Sequence, residues 1–234
     1  MIPITLFTGR IAPLPGSGRP TGMFKVPLQA PAWLGPEGIY GDEQADRRVH
    51  GGPDKAVHLY PAGHYTRLAS RFPQVATQLL PGSLGENISC AALSEADVRV
   101  GAVFQLGEAR LQVCQPRSPC WKIDDRFAAE GMAAYIAEAQ LTGWYFRVVH
   151  PGRVSPQDSL TVVDPASGAP TLVEALALLQ EHRPAPAALR GLASCPGIAA
   201  GWQRKIAERA RWLETHTLGP EPDRPPFHVK PSTP

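Results

Sequence analysis

The sequence predicts a mainly β, α+β protein: a strand-rich body over residues 1–165, a small C-terminal helical domain over 166–216 and a disordered, proline-rich tail over 217–234. Three observations carry this expectation. The chain holds 22 glycines and 26 prolines, a fifth of its residues against an average of about 12%, which implies many turns and disfavours a helical bundle. Short apolar runs separated by turn residues fill the first 165 positions. Beyond Pro165 the apolar spacing becomes that of helices. With 234 residues, 43% hydrophobic and 19% charged, the chain can bury a core of normal size and is not a disordered polymer.

Each element has its own signal. Ile4, Leu6 and Thr8 alternate with Thr5 and Phe7 and predict an opening strand. Residues 13–20, rich in proline and glycine, predict an exposed turn, and residues 23–28 a second extended run. Residues 56–60 form a short apolar run fit for a buried strand. Tyr65, Leu68 and Phe72 place a helix within residues 61–72. Val98 and Val100, residues 103–106, and Leu111 with Val113 read as a meander punctuated at Gly101 and Gly107. Residues 131–141 read as a helix, and residues 144–149 and 159–163 as strands. Thr171-Leu172-Val173-Glu174 is a capping box, with Leu172, Leu176 and Leu179 as the apolar stripe behind it. Residues 187–192 read as a second helix of this part. Trp202, Ile206, Arg209 and Leu213 mark a third, as a packing stripe. Roughly 45 helical residues bury too little surface to stand alone, so docking on the larger body or on a second subunit, as in a homodimer, is expected.

Charge and cysteine usage exclude several classes. Lys+Arg 23 against Asp+Glu 21 leaves +2, with no whole-protein field for a nucleic-acid polymer or an anionic membrane. No run approaches the ~18 apolar residues of a membrane span, and residues 1–5 lack the basic, then apolar, pattern of a secretory signal. A cytoplasmic protein is expected, with Cys90, Cys114, Cys120 and Cys195 as thiols. The absence of C-x-x-C and His-Glu-x-x-His speaks against zinc. Gly16-Ser17-Gly18-Arg19-Pro20 is a surface turn, because Pro20 stands where a dinucleotide-binding helix would begin.

Three segments carry chemistry. In residues 41–55, Gly51-Gly52 strips side chains from a turn so that backbone N–H groups can converge on an anion. Arg47, Arg48, His50 and Lys55 bracket it with donors, each charge-assisted bond to phosphate contributing roughly 1.5–3 kcal/mol. A solvated charged hairpin is the plain alternative. In Gln115-Pro116-Arg117-Ser118-Pro119-Cys120-Trp121-Lys122, two prolines brace a turn that holds one sulfur in place. Arg117 and Lys122 flank that sulfur with positive charge, the setting of a metal-ligating or nucleophilic thiolate; an ordinary buried cysteine is the alternative. In residues 82–88, Glu86 and Asn87 follow a flexible glycine and offer a carboxylate and an amide to a heterocycle or cofactor, the alternative being a loop with an Asx turn.

Together these pieces resemble the MOSC family, named for the C-terminal domain of molybdenum cofactor sulfurase, and within it the YiiM-like branch of 6-N-hydroxylaminopurine-resistance proteins. The matching text is Gly41-Asp42-Glu43-Gln44-Ala45-Asp46, His50-Gly51-Gly52-Pro53-Asp54-Lys55-Ala56, Tyr60-Pro61 with His64-Tyr65, Gly85-Glu86-Asn87 and Gln115-Pro116-Arg117-Ser118-Pro119-Cys120. The resemblance implies a barrel-like MOSC β-domain that binds the molybdenum cofactor, a molybdopterin, with Cys120 on the metal. It implies reduction of N-hydroxylated small molecules to amines with electrons from an external flavin reductase, detoxifying base analogues. It assigns Arg47, Arg48, Gly51, Gly52, Lys55, Asn87, Arg117 and Ser118 to cofactor contacts, and His50 or Glu86 to proton supply. A cofactor or sulfur carrier without turnover needs the same residues. A hydrolase or transferase pairing Cys120 with His50 or His58 needs a histidine within hydrogen-bond reach of the sulfur.

Overall fold

The structure, a computed structural model, describes residues 1–47 and 51–216. Arg48, His50 and the proline-rich tail therefore lie outside the described residues. Nine strands share one curled, mixed sheet. Its order is Ile2–Pro3, Ser159–Asp164, Val103–Leu106, Ala109–Pro116, Trp144–His150, Val57–Pro61, Ile88–Cys90, Thr5–Thr8 and Val26–Pro27. Neighbours run antiparallel except Val57–Pro61 beside Ile88–Cys90, which are parallel.

The N-terminal segment shows how far the sheet curls. Ile2–Pro3 pairs with Ser159–Asp164 at one end, whereas Thr5–Thr8 pairs with Ile88–Cys90 near the other. Pro3 and Thr5 are two residues apart, a reach of at most about 7 Å. The two ends of the sheet are thus brought together, and the expected barrel-like β body is found.

The Val57–Pro61 strand is buried along its whole length. Val57 and Leu59 enter the main core with Leu6, Ile88, Leu111, Trp144 and Phe146. Tyr60, on the opposite face, joins a second core with Tyr65, Leu68, Phe72, Ile123, Phe127 and Met132. Strict alternation puts odd and even positions on opposite faces, which is why this strand reads as one apolar run and not as an amphipathic one. Helices Gly63–Arg71, Lys122–Phe127 and Met132–Glu138 supply the second core.

Helices Leu172–Gln180, Pro186–Ala193 and Ala200–Thr215 follow the last strand. Thr171 caps the first of them in a complete capping box with Glu174. Leu172, Leu179, Leu189, Leu192, Ile206 and Leu213 belong to the same core as the sheet, so the helical part docks on its own β body. Ile206 and Leu213 of the third stripe are buried as expected for packing.

Several local expectations shift. Residues 98–100 form no strand; Arg99 makes an isolated bridge to Thr171. The helix Lys122–Phe127, the strands Ala32–Gly35 and Gly38–Ile39 and the strand Gly152–Val154 had no sequence signal. Each is too short, or too rich in glycine, for a period to show. Among the described residues no helix is long and apolar enough to cross a membrane.

Candidate functional site

The end of the Ala109–Pro116 strand delivers the chain into the turn that carries Cys120. The Arg117 backbone N–H donates to the Gly143 carbonyl at 3.0 Å, continuing the ladder one step past the strand. Gly143 is held at φ +64°, and a Cβ there would stand 2.3 Å from the Leu59 carbonyl oxygen, so only glycine allows this approach. After Cys120 the chain turns into Lys122–Phe127, with the Ile123 N–H donating to the Cys120 carbonyl.

Cys120 is 7% exposed, yet it is not packed in an apolar interior. It lines a cleft of about 610 Å³, counted out to its open mouth. Lys25, Lys55, Arg117 and Lys122 share that lining with Asp42, Glu43 and Asp46, together with His58, Asn87 and Tyr145. Two carboxylates are committed: Lys25 pairs with Asp42 in a buried ion pair, and Glu43 pairs with the exposed Arg10 outside the cleft. Lys122 Nζ donates to the Pro20 carbonyl at 2.9 Å.

Arg117 is the central cation. The residue is 7% exposed, with Nη2 at 3.5 Å from the Leu84 carbonyl and Tyr145 lining the same cleft. Nη1 is buried with no hydrogen-bond partner among the described residues. A buried guanidinium donor left this way calls for an acceptor in the cleft. Burial, and then the Arg117 charge, push His58 far below its ordinary value. Burial also raises Tyr145. Lys55 is lowered, first by burial and then by Lys205 of the last helix.

Of the residues singled out from sequence, Cys120, Lys55, Asn87 and Arg117 meet in this cleft. Asn87 is a brace within it: Oδ1 accepts from the His58 N–H at 3.1 Å, and Nδ2 donates to Asp42 at 2.9 Å and the Phe7 carbonyl at 3.3 Å. Arg47, Gly51, Gly52, Ser118 and Glu86 do not line it. Arg47 is exposed and pairs with Glu37. A Cβ on Gly51 would meet Gln44 Oε1 at 2.4 Å, and Gly52 has φ +89°; the pair serves tight packing of the loop that positions Lys55. Ser118 is exposed. Glu86, expected to supply protons, is 0% exposed. Its Oε1 accepts from the Tyr65 hydroxyl and the Gly82 N–H, each at 2.6 Å, and its Oε2 from the Leu84 N–H at 3.2 Å. Burial raises this carboxylate despite those bonds. In this position Glu86 braces the loop of residues 82–84 and does not itself line the cleft.

Lys25, Asp42 and Tyr145 were missed as site residues. Asp42 lay within the quoted resemblance, but nothing in the sequence pairs it with Lys25. Tyr145 stands directly beside His58 in the sheet, a register no spacing reveals. Cys114 is a buried donor to the Asp54 carbonyl at 2.9 Å, its thiol pushed up to about 12 by burial. Among the described residues no group of three or more His, Cys, Asp or Glu is placed to hold a metal ion.

The MOSC domain pattern matches residues 46–161. YiiM of Escherichia coli (strain K12) is 35% identical over 215 residues, 88% of this chain and 92% of YiiM. The chain belongs to the MOSC family, in its YiiM-like branch. The crystal structure of E. coli YiiM superposes with a TM-score of 0.77 at 29% identity over 90% of this chain and 92% of that one. YiiM from Geobacillus stearothermophilus gives 0.74 at 27% identity, covering 89% of this chain and 100% of its own. A protein of Gibberella moniliformis named "Reductase" is 28% identical over 145 residues, 62% of this chain, which spans only 26% of that protein. MOSC domains are in general associated with the molybdenum cofactor.

Proposed function

We propose that this MOSC protein is a molybdenum-cofactor-dependent reductase of N-hydroxylated compounds, such as 6-N-hydroxylaminopurine, yielding the amine. The observation that carries the reading is that Cys120 shares the wall of one cleft with Lys55, Lys122 and Arg117, whose buried Nη1 has no partner among the described residues. The residues fit the group: a soft sulfur suits molybdenum, and Arg117, Lys55 and Lys122 suit an anionic pterin phosphate. Bound there, the cofactor supplies a two-electron redox centre. Cys120 would hold its metal; Arg117 and Lys55 would orient its anionic end. Asn87 and the Lys25–Asp42 pair keep the wall fixed. The name of the Gibberella relative supports reductase chemistry.

In the reaction the substrate N–O bond breaks, two electrons and two protons enter, and water leaves. The chain has no flavin or nicotinamide motif, so a separate flavin reductase is the proposed electron source. Protein isolated from a host that makes the pterin cofactor is expected to reduce 6-N-hydroxylaminopurine with reduced flavin as donor. A Cys120→Ser variant is expected to lose turnover at least about a hundredfold. Cofactor bound without turnover on any N-hydroxylated substrate would instead establish a carrier, and an active C120S variant would remove Cys120 from the chemistry.

A further inference from the structure

From the floor of the cleft inward runs a row of buried polar groups, of which Tyr60, Ser89 and His64 take no part in the site as described. His58 and Tyr60 are two apart on the Val57–Pro61 strand and project from one face. Ser89 stands directly beside Tyr60, and Tyr145 directly beside His58. On this side four polar atoms have no hydrogen-bond partner among the described residues: His58 Nε2, Tyr60 Oη, Ser89 Oγ and Arg117 Nη1. Their residues are 4%, 0%, 4% and 7% exposed. Native proteins leave only a few per cent of buried polar groups unsatisfied, and unpartnered polar atoms on neighbouring positions of one sheet face are what an internal water satisfies.

The row continues outward. The Tyr60 ring lies 6.1 Å from His58 and 5.4 Å from His64, centroid to centroid, edge-on to both. His64 Nε2 is 2.7 Å from Glu95 Oε2, and His64, at 8% exposed, is the outermost member. We propose that Tyr60, bridged by internal water to His58 on one side and to the His64–Glu95 pair on the other, forms a proton path from the protein surface to the floor of the cleft. Its purpose, though not its structure, rests on the reductase reading above.

The step balances. Reduction of R–NH–OH breaks the N–O bond, takes two electrons from the reduced flavin and two protons, and releases R–NH₂ and water. Tyr60 passes its hydroxyl proton to the bridging water toward His58 and regains one from the His64 side, so no residue changes its net charge over a turnover. Tyr60 acts through His58 and is a relay, not a group that touches substrate. Removing its unpartnered hydroxyl takes away no hydrogen bond of the fold.

Two measurements test this. A high-resolution crystal structure of the intact protein should place ordered water within about 3.2 Å of Tyr60 Oη and of His58 Nε2; a dry seam overturns the proposal whatever the reaction. In the cofactor-loaded protein, Tyr60→Phe should lower kcat by about a hundredfold, the lower end of what a proton-transfer group contributes. KM should be unchanged and the solvent deuterium isotope effect should rise. Wild-type kcat and isotope effect in Y60F would sink the path. Should Y60F fail to fold, Ser89→Ala reads the same seam by the same isotope effect. A wild-type protein that turns over no substrate refutes the reductase reading instead, and the water positions then decide the seam by themselves.

Discussion

Arg117, Lys55 and Cys120 were legible in sequence because each sits beside a breaker that fixes its loop: Pro116 and Pro119 for two of them, Gly52 and Pro53 for the third. Glu86 shows the limit of such reading. A carboxylate after a flexible glycine looks accessible on paper, yet the fold surrounds it with the Tyr65 hydroxyl and two backbone N–H groups. If Glu86 braces the loop, Glu86→Gln puts an amide NH₂ against a donor. Stability should then fall by about 1–3 kcal/mol, with the folded fraction keeping wild-type turnover. Urea unfolding together with kcat per folded molecule checks this. A stable variant without activity would return Glu86 to the chemistry.

At the scale of elements, long periodic segments were legible and short ones were not. The helix Gly63–Arg71 and the capping box at Thr171 declare themselves through spacing and cap chemistry. Lys122–Phe127, at six residues, contains too few turns for a stripe. The link between the last helix and the site was also hidden, because Asp54 and Ala200 are 146 residues apart. Asp54 Oδ1 accepts from Arg147 Nε and Nη2 at 3.0 and 2.7 Å, and Oδ2 accepts from the Ala200 N–H at 3.2 Å. One carboxylate thus ties the turn carrying Lys55 to the Trp144–His150 strand and to the start of Ala200–Thr215. Asp54→Ala should cost about 1–2 kcal/mol, a modest figure because the pair is partly exposed. Hydrogen exchange should accelerate first at the Ala200 end of that helix; unchanged protection there would show that the tie holds nothing.

For the whole molecule, the alternation of short strands made the β class legible, but closure of the sheet was not. It depends on Ile2–Pro3 and Thr5–Thr8 pairing with strands at opposite ends. The same closure folds Lys25, Asp42, His58, Asn87, Arg117, Cys120 and Tyr145, scattered over 120 positions, around one cleft. Spacing finds the members that share a loop; only the sheet register brings the others in. What the cleft holds is decided most directly by molybdenum and pterin content after purification from a cofactor-making host, wild type beside Cys120→Ser. Close to one molybdenum per wild-type chain, and almost none in an equally folded C120S protein, is the expected result; equal metal in both, or none in either, would contradict a molybdenum site built on Cys120.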